Sequence, residues 1–148
     1  MQQVEIPNCC QMEPLAPEHL LTKCEELVAA DSNPGTDMYD VCLKQCIFEE
    51  LGAIDGYEMH LEMLYPVMES FPVDYRQAVR LAIDECNGRL QHIQKHKPKR
   101  CQQCEEQCPM LGQQVERCLE AATYNNCPIS RWRASTACNK VRRKVPFC

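Results

Sequence analysis

The chain has 148 residues, a formal net charge of −5 and 13 cysteines, a cysteine content typical of secreted disulfide scaffolds. No run of 18 apolar residues occurs, which excludes a membrane span from the sequence pattern. The length fits one domain, residues 1–148, with additional cysteine-bearing segments at residues 1–16 and 129–148. No basic and apolar leader precedes Pro7, so we expect any signal peptide to have been removed and the protein to be extracellular.

The charges are distributed unevenly along the chain. Up to Asp74 there are 15 acidic residues against Lys23 and Lys44, whereas from Tyr75 onward there are 6 acidic and 14 basic residues. Folding one half onto the other, or onto a partner chain, would neutralise both. The acidic half would cancel most of the attraction to phosphates, so nucleic acid is not an expected partner. The odd number of cysteines and this charge polarity together predict that the monomer is in equilibrium with a homodimer.

The first two predicted elements are helices. Apolar residues recur at intervals of three and four over residues 17–30, which indicates an amphipathic helix. Residues 33–35, Asn-Pro-Gly, form a turn signal. Thr36 can then cap a second helix that runs to about Leu51, and Gly52 ends it.

Two further helices are predicted in the middle of the chain. Asp55 and Glu58 resemble a capping box for a short helix that Pro66 must end or kink. Asp74 can cap a long helix that keeps a period of 3.6 residues over five turns. Its apolar positions are Tyr75, Val79, Ala82, Ile83, Cys86, Leu90 and Ile93.

The last part of the chain mixes a connector, a helix and an irregular tail. The polar run of residues 92–100 reads as a solvated connector. Pro109 is expected to start a helix over residues 109–122, closed by a turn at Asn125 and Asn126. Alternating strand patterns are missing from the sequence, so the predicted fold class is all-α.

The positions of Cys42 and Cys46 restrict their pairing. Residues four apart on a helix have β-carbons about 5–6 Å from each other, whereas a disulfide needs about 3.8 Å. We therefore expect each of the two to reach a different helix, so that this segment is anchored twice. A closed loop of 20–80 residues is worth roughly 3–5 kcal/mol in the chain-entropy model.

The cysteine spacing resembles that of a known family. The frame Cys24, Cys42-x3-Cys46, Cys86 and Cys118-x8-Cys127 is similar to the six-cysteine core of insect odorant-binding proteins. Three additions resemble the Plus-C subclass of that family: Cys108 before Cys118, Pro128 directly after Cys127, and Cys138 ten residues later. The segment between Cys24 and Cys42 is shorter than in the six-cysteine forms.

The resemblance implies a fold and a disulfide pattern. The fold would be a compact bundle of about six to eight helices around an apolar cavity. The implied bonds are Cys24–Cys46, Cys42–Cys118 and Cys86–Cys127, and Cys108–Cys138 is the preferred fourth. Pairing of Cys9, Cys10, Cys101, Cys104 and Cys148 stays open at this point.

The resemblance also implies a function. The protein would be a secreted carrier that binds small apolar odorants or similar semiochemicals non-covalently and transports them through aqueous sensory lymph. It would have no cofactor and no enzymatic activity. An odorant receptor or another odorant-binding protein would be its protein partner, and it would not insert into membranes.

A ligand pocket is predicted between the helix of residues 59–65 and the helix of residues 75–93, because these carry the broadest apolar faces. Methionine is flexible and polarizable, which suits a pocket that accepts several ligand shapes. The candidate ligand-binding residues are Met59, Met63, Leu64, Met68, Phe71, Tyr75, Val79 and Ile83. The alternative function is a disulfide-rich protein-interaction module whose own tail, around residues 145–147, fills the cavity.

Other chemistry is disfavoured by the sequence. Cys101-x2-Cys104-x3-Cys108, with His92 and His96 nearby, has the spacing of a zinc site. The same cysteines sit among ten others in a chain that looks exported, so structural disulfides are preferred and no metal is predicted. No phosphate-binding loop, nucleophile elbow or paired catalytic carboxylates occur in the sequence.

Overall fold

Residues 9–95 and 108–142 are described by the computed structural model of this chain. It begins with two helices, α1 (Glu18–Ala29) and α2 (Asp37–Glu50). The Thr36 hydroxyl accepts a hydrogen bond from the Tyr39 N–H at 3.2 Å, which caps α2 as predicted. Beyond the other end of α2, Gly52 has φ +77°, a left-handed conformation that favours glycine. Both predicted helices are confirmed within two residues.

The third predicted helix is wrong in its first half. Ile54–Asp55 (β1) and Glu58–Met59 (β2) pair as a short antiparallel hairpin, with Asp55 opposite Glu58. Gly56, at φ +60°, makes the turn between them. Only then does the chain turn helical, in a 3₁₀ segment over Leu61–Leu64 and the short helix α3 (Tyr65–Met68).

The two long helices of the second half are confirmed. They are α4 (Val73–Lys95) and α5 (Leu111–Asn125), followed by a 3₁₀ turn at Ile129–Arg131 and α6 (Thr136–Arg142). The described part of the chain is mostly helical, with six α-helices. The main helix contacts join α4 to α5, α2 to α5 and α1 to α2. None of the described helices has both the length and the apolar character that a bilayer crossing needs.

Helices α2 and α5 approach each other closely at Gly112. A β-carbon at this position would lie 2.6 Å from the Gln45 Cα and N atoms. The side chain of Gln45 is buried, and its Oε1 accepts a hydrogen bond from the Gly112 N–H at 3.0 Å. Its Nε2 donates to the Gly56 carbonyl at 2.9 Å and to Glu49 Oε1 at 2.6 Å. One buried amide thus joins α2, the hairpin and α5.

Five disulfides tie the described residues together. They are Cys9–Cys138, Cys10–Cys127, Cys24–Cys46, Cys42–Cys108 and Cys86–Cys118. Cys42 and Cys46 reach different segments, as the helix geometry requires, and the expected Cys24–Cys46 bond is present. The other three expected pairings, Cys42–Cys118, Cys86–Cys127 and Cys108–Cys138, are wrong. Cys101, Cys104 and Cys148 lie outside the described residues.

The rotation of α5 explains the changed pairing. The close approach at Gly112 brings the start of α5 against α2, and Cys108, which precedes α5, bonds to Cys42 there. Cys118 follows Gly112 by six residues, or roughly 240° around a helix of 3.6 residues per turn. It therefore lies on another side of α5, where it meets Cys86 of α4. Cys127 is then left to pair with Cys10.

The chain near the N-terminus pairs with the segment after α5. The Arg133 N–H donates to the Cys9 carbonyl at 2.8 Å, and the Gln11 N–H donates to the Arg131 carbonyl at 3.0 Å. Two disulfides, to Cys127 and Cys138, lie beside these hydrogen bonds. The N-terminal cysteines thus fasten the start of the described chain to its end.

Candidate functional site

An apolar cavity of about 270 Å³ lies among four helices and one irregular segment. The irregular segment is residues 11–16, called here the N-terminal strap, of which residues 12–16 form one wall. The other apolar walls come from the helices and the residue that precedes α4. Their side chains are Leu21 of α1, Ile47 and Phe48 of α2, Phe71, Tyr75 and Val79 in or near α4, and Leu119 of α5.

Arg131 holds the strap in place. Its Nη1 donates to the Gln11 carbonyl at 3.0 Å and to Glu13 Oε1 at 3.2 Å, while its Nε donates to Asp74 Oδ2 at 2.9 Å. The guanidinium also lies 4.9 Å from the centre of the Tyr75 ring, within range of a cation–π contact. One side chain therefore links the strap, the first turn of α4 and the C-terminal segment. Arg131 belongs to the basic second half of the chain and pairs here with Asp74 and Glu13 of the acidic first half, as the charge polarity suggested.

Tyr75 contributes both an apolar ring and a hydroxyl to this region. It is 4% exposed, and its ring stacks edge-on against Phe71 with centroids 5.3 Å apart. Burial raises the pKa of the Tyr75 hydroxyl, and a hydrogen bond with the backbone of Glu13 partly opposes that rise. The hydroxyl is therefore neutral at physiological pH and joins α4 to the strap.

Apart from Glu13 of the strap, the polar side chains of the cavity wall are grouped on α5 and the facing part of α2. Lys44 Nζ lies 3.0 Å from Glu116 Oε1, and both side chains are about one-quarter exposed. Burial raises the pKa of the neighbouring Glu120 carboxyl, and the charge of Glu116 together with a hydrogen bond between the two carboxyls raises it further. Lys44 acts in the opposite direction. Thr123, one turn further along α5, completes the polar side.

Three of the eight predicted ligand-binding residues line this cavity: Phe71, Tyr75 and Val79. The other five lie elsewhere. Leu64, Met68 and Ile83 belong to the buried core, Met59 is half-buried in β2, and Met63 is 50% exposed. This cavity therefore brings together three predicted residues in or next to α4, whereas the hairpin removes Met59 from any helix face. The predicted ligand-binding role of the other five residues stays a prediction.

Sequence reasoning missed most of the cavity wall. The strap residues show no periodic pattern, so nothing in their sequence indicated that they cover a cavity. Leu119 repeats with Leu111, Val115 and Ala122 at helical spacing in the sequence, which was a usable signal. Ile47 and Phe48 follow Cys46 directly, and their burial was detectable only as part of the α2 pattern.

The residues weighed above as an alternative zinc site lie only partly within the described residues. Cys108 is bonded to Cys42, and no cluster of three or more metal-binding side chains occurs in residues 9–95 and 108–142. His92 is exposed near the end of α4, and Cys101, Cys104 and His96 lie outside the described residues.

Comparison with known proteins adds no relative. No family model matches this sequence, and no curated protein matches it. The likeness to odorant-binding proteins thus depends on the cysteine frame alone.

The Asp74–Arg131 contact predicts an acid sensitivity. Hydrogen bonds from Arg131 and Ser130 hold the pKa of the Asp74 carboxyl below its ordinary value of 3.8. A carboxyl whose pKa is lower in the folded than in the unfolded protein stabilises the fold at any pH above its unfolded-state pKa. This stabilisation is lost as the pH falls through the folded-state pKa. We expect Asp74→Asn to lose less stability than wild type when denaturant unfolding is compared at pH 5 and pH 2. Equal losses in both proteins would contradict this role, and Asp55→Asn, an exposed site in β1, is the control.

Proposed function

We propose that this protein is an extracellular carrier that binds small apolar molecules non-covalently. The observation that carries the proposal is the cavity of about 270 Å³ lined by the strap and four helices. No reacting groups are needed, since burial of apolar surface contributes roughly 25 cal/mol per Å². After the costs of association, a ligand of this size would bind with a Kd on the order of micromolar.

The cavity volume limits the size of the ligand. An engineered apolar cavity of about 150 Å³ is known to hold benzene. Applying benzene's cavity volume per non-hydrogen atom to 270 Å³ gives a ligand of about eleven non-hydrogen atoms. Ligands of this class are small terpenes, short-chain alcohols and compact aromatic molecules, which are volatile enough to act as odorants.

The disulfides support the extracellular part of the proposal. Five bonds join segments up to 129 residues apart. Structural disulfides form and persist mainly in oxidising compartments such as the extracellular space, and they are rare in the cytosol. A protein with these bonds would remain folded in dilute extracellular fluid such as lymph. Cys24–Cys46 is the one of these five bonds that the odorant-binding resemblance of the cysteine frame also implies.

Filling the cavity tests the proposal. The wild-type protein should bind naphthalene, whose fluorescence reports a neutral apolar ligand of suitable size. Val79→Phe should weaken that binding about tenfold. The larger side chain occupies space that roughly two methylene groups of the ligand would fill, and burying each of these contributes about 0.8 kcal/mol. Leu81→Phe is the matched control, since Leu81 lies on the same helix, is 43% exposed and is not part of the cavity wall.

The outcomes separate the carrier from its alternative. Binding by wild type and by Leu81→Phe, with loss in Val79→Phe, supports a ligand site in this cavity. Absence of naphthalene binding in all three folded proteins would contradict the carrier proposal and favour the protein-interaction module.

A further inference from the structure

We propose that the cavity prefers apolar ligands that carry a protonated amine and disfavours those that carry a carboxylate. This inference rests on the proposed function and specifies its ligand class. It follows from the polar side of the cavity, formed by Glu116, Glu120 and Thr123 of α5.

Thr123 is the first indication of a polar ligand head group. Its side chain lines the cavity, yet the residue is only 5% exposed. Its hydroxyl forms no hydrogen bond to any of the described residues, and it is not sealed away from the cavity. Such a hydroxyl is available as both donor and acceptor to a ligand head group in the cavity.

The charges beside Thr123 determine the sign of that head group. Three carboxylates line the cavity, and two of them already have a cationic partner: Glu13 with Arg131 at 3.2 Å and Glu116 with Lys44 at 3.0 Å. Glu120 has no ion pair of its own within the described residues, and its carboxyl lies beside that of Glu116. The lining therefore holds an excess of negative charge in a partly apolar setting, where charge interactions are stronger than in water.

Helix geometry brings these groups to one place. Glu116, Glu120 and Thr123 are separated by four and three residues, the spacings at which side chains are neighbours on a helix surface. An ionised carboxylate only accepts hydrogen bonds, whereas a hydroxyl both donates and accepts. A head group that donates several hydrogen bonds and is positively charged satisfies both Glu120 and Thr123. A primary ammonium has these properties, and a carboxylate would be repelled by Glu120.

Three ligands with the same chain length test the preference. At pH 7, octylammonium, 1-octanol and octanoate are each titrated into the intact protein by calorimetry, with naphthalene displacement as a second readout. We expect octylammonium to bind roughly fivefold to tenfold more tightly than octanoate, with 1-octanol in between, because a charged hydrogen bond adds to the burial of the chain.

Two variants assign the preference to named side chains. Glu120→Gln should weaken octylammonium roughly fivefold while 1-octanol changes less than about twofold. Thr123→Val, which keeps the shape, should weaken octylammonium and 1-octanol about threefold alike, since both head groups use the hydroxyl. Glu26→Gln on the exposed face of α1 should change nothing.

Each result bears on a different claim. Equal affinity for all three ligands, or tighter binding of octanoate, would overturn the amine preference and, in the second case, indicate that Lys44 receives the head group. The carrier proposal would survive both results, because all three ligands would still bind. Failure of naphthalene and all three ligands to bind would overturn the carrier proposal and the amine preference together.

Discussion

Replacing Gly112 by alanine should lower the free energy of unfolding by about 2–4 kcal/mol. The added β-carbon would lie 2.6 Å from two backbone atoms of Gln45, and a backbone cannot rotate away as a side chain can. Separating α2 from α5 would also break the hydrogen bond from the Gly112 N–H to Gln45 Oε1, leaving a buried acceptor unsatisfied. Urea denaturation of the two proteins measures the difference.

Gly88→Ala is the matched control for this prediction. Gly88 also lies inside a helix, α4, but a β-carbon there meets no atom within 4 Å. Because alanine is the better helix former, this variant should gain about 0.5–1 kcal/mol. A loss at Gly88 similar to that at Gly112, or no loss at Gly112, would contradict the close contact between α2 and α5.

The helices were predictable because their signals are local. Helix α2 has its Thr36 cap and its terminal Gly52 within a few residues of its ends, and α4 repeats its apolar pattern over many turns. The hairpin was not predictable in the same way. Asp55 and Glu58 fit a capping box, yet the same spacing places them opposite each other across a turn at Gly56. Both readings satisfy local rules, so contacts from outside the segment, such as that from Gln45 to the Gly56 carbonyl, decide between them.

The disulfide pattern shows where local information ends. The sequence predicted that Cys42 and Cys46 would not pair, because that depends on one helix alone. Whether Cys42 meets Cys108 or Cys118 depends on which side of α5 faces α2, and the approach at Gly112 sets that rotation. A glycine inside a helical pattern carries no such information until its neighbour is known.

The cavity was predictable only in part for the same reason. Tyr75 and Val79 lie on the apolar face of α4, which the periodicity identified. The strap reaches the cavity through bonds that span more than one hundred residues, namely Cys9–Cys138, Cys10–Cys127 and the contacts of Arg131 with Gln11 and Glu13. Long-range ties of this kind leave no pattern in the segment that they position.

Detaching the N-terminal segment should abolish most ligand binding. Replacing Cys9, Cys10, Cys127 and Cys138 by alanine removes both bonds that fasten the strap, so the wall formed by residues 12–16 would be held only by hydrogen bonds and Arg131. We expect the Kd for naphthalene to rise at least about tenfold, because the ligand would lose apolar contact on one side. Stability should fall by more than the roughly 4–5 kcal/mol that one bond closing a loop of this length contributes, because two bonds are removed.

A second disulfide variant separates the loss of the strap from the loss of stability. Cys86→Ala with Cys118→Ala opens a bond of sequence separation 32 between α4 and α5, which should cost roughly 3–4 kcal/mol. The strap keeps both of its own disulfides in this protein. Measured well below the melting temperature of each variant, naphthalene affinity should change less than about threefold here. If both variants bind naphthalene equally well, the strap is not a wall of the ligand site. If both lose binding equally, stability alone accounts for the effect.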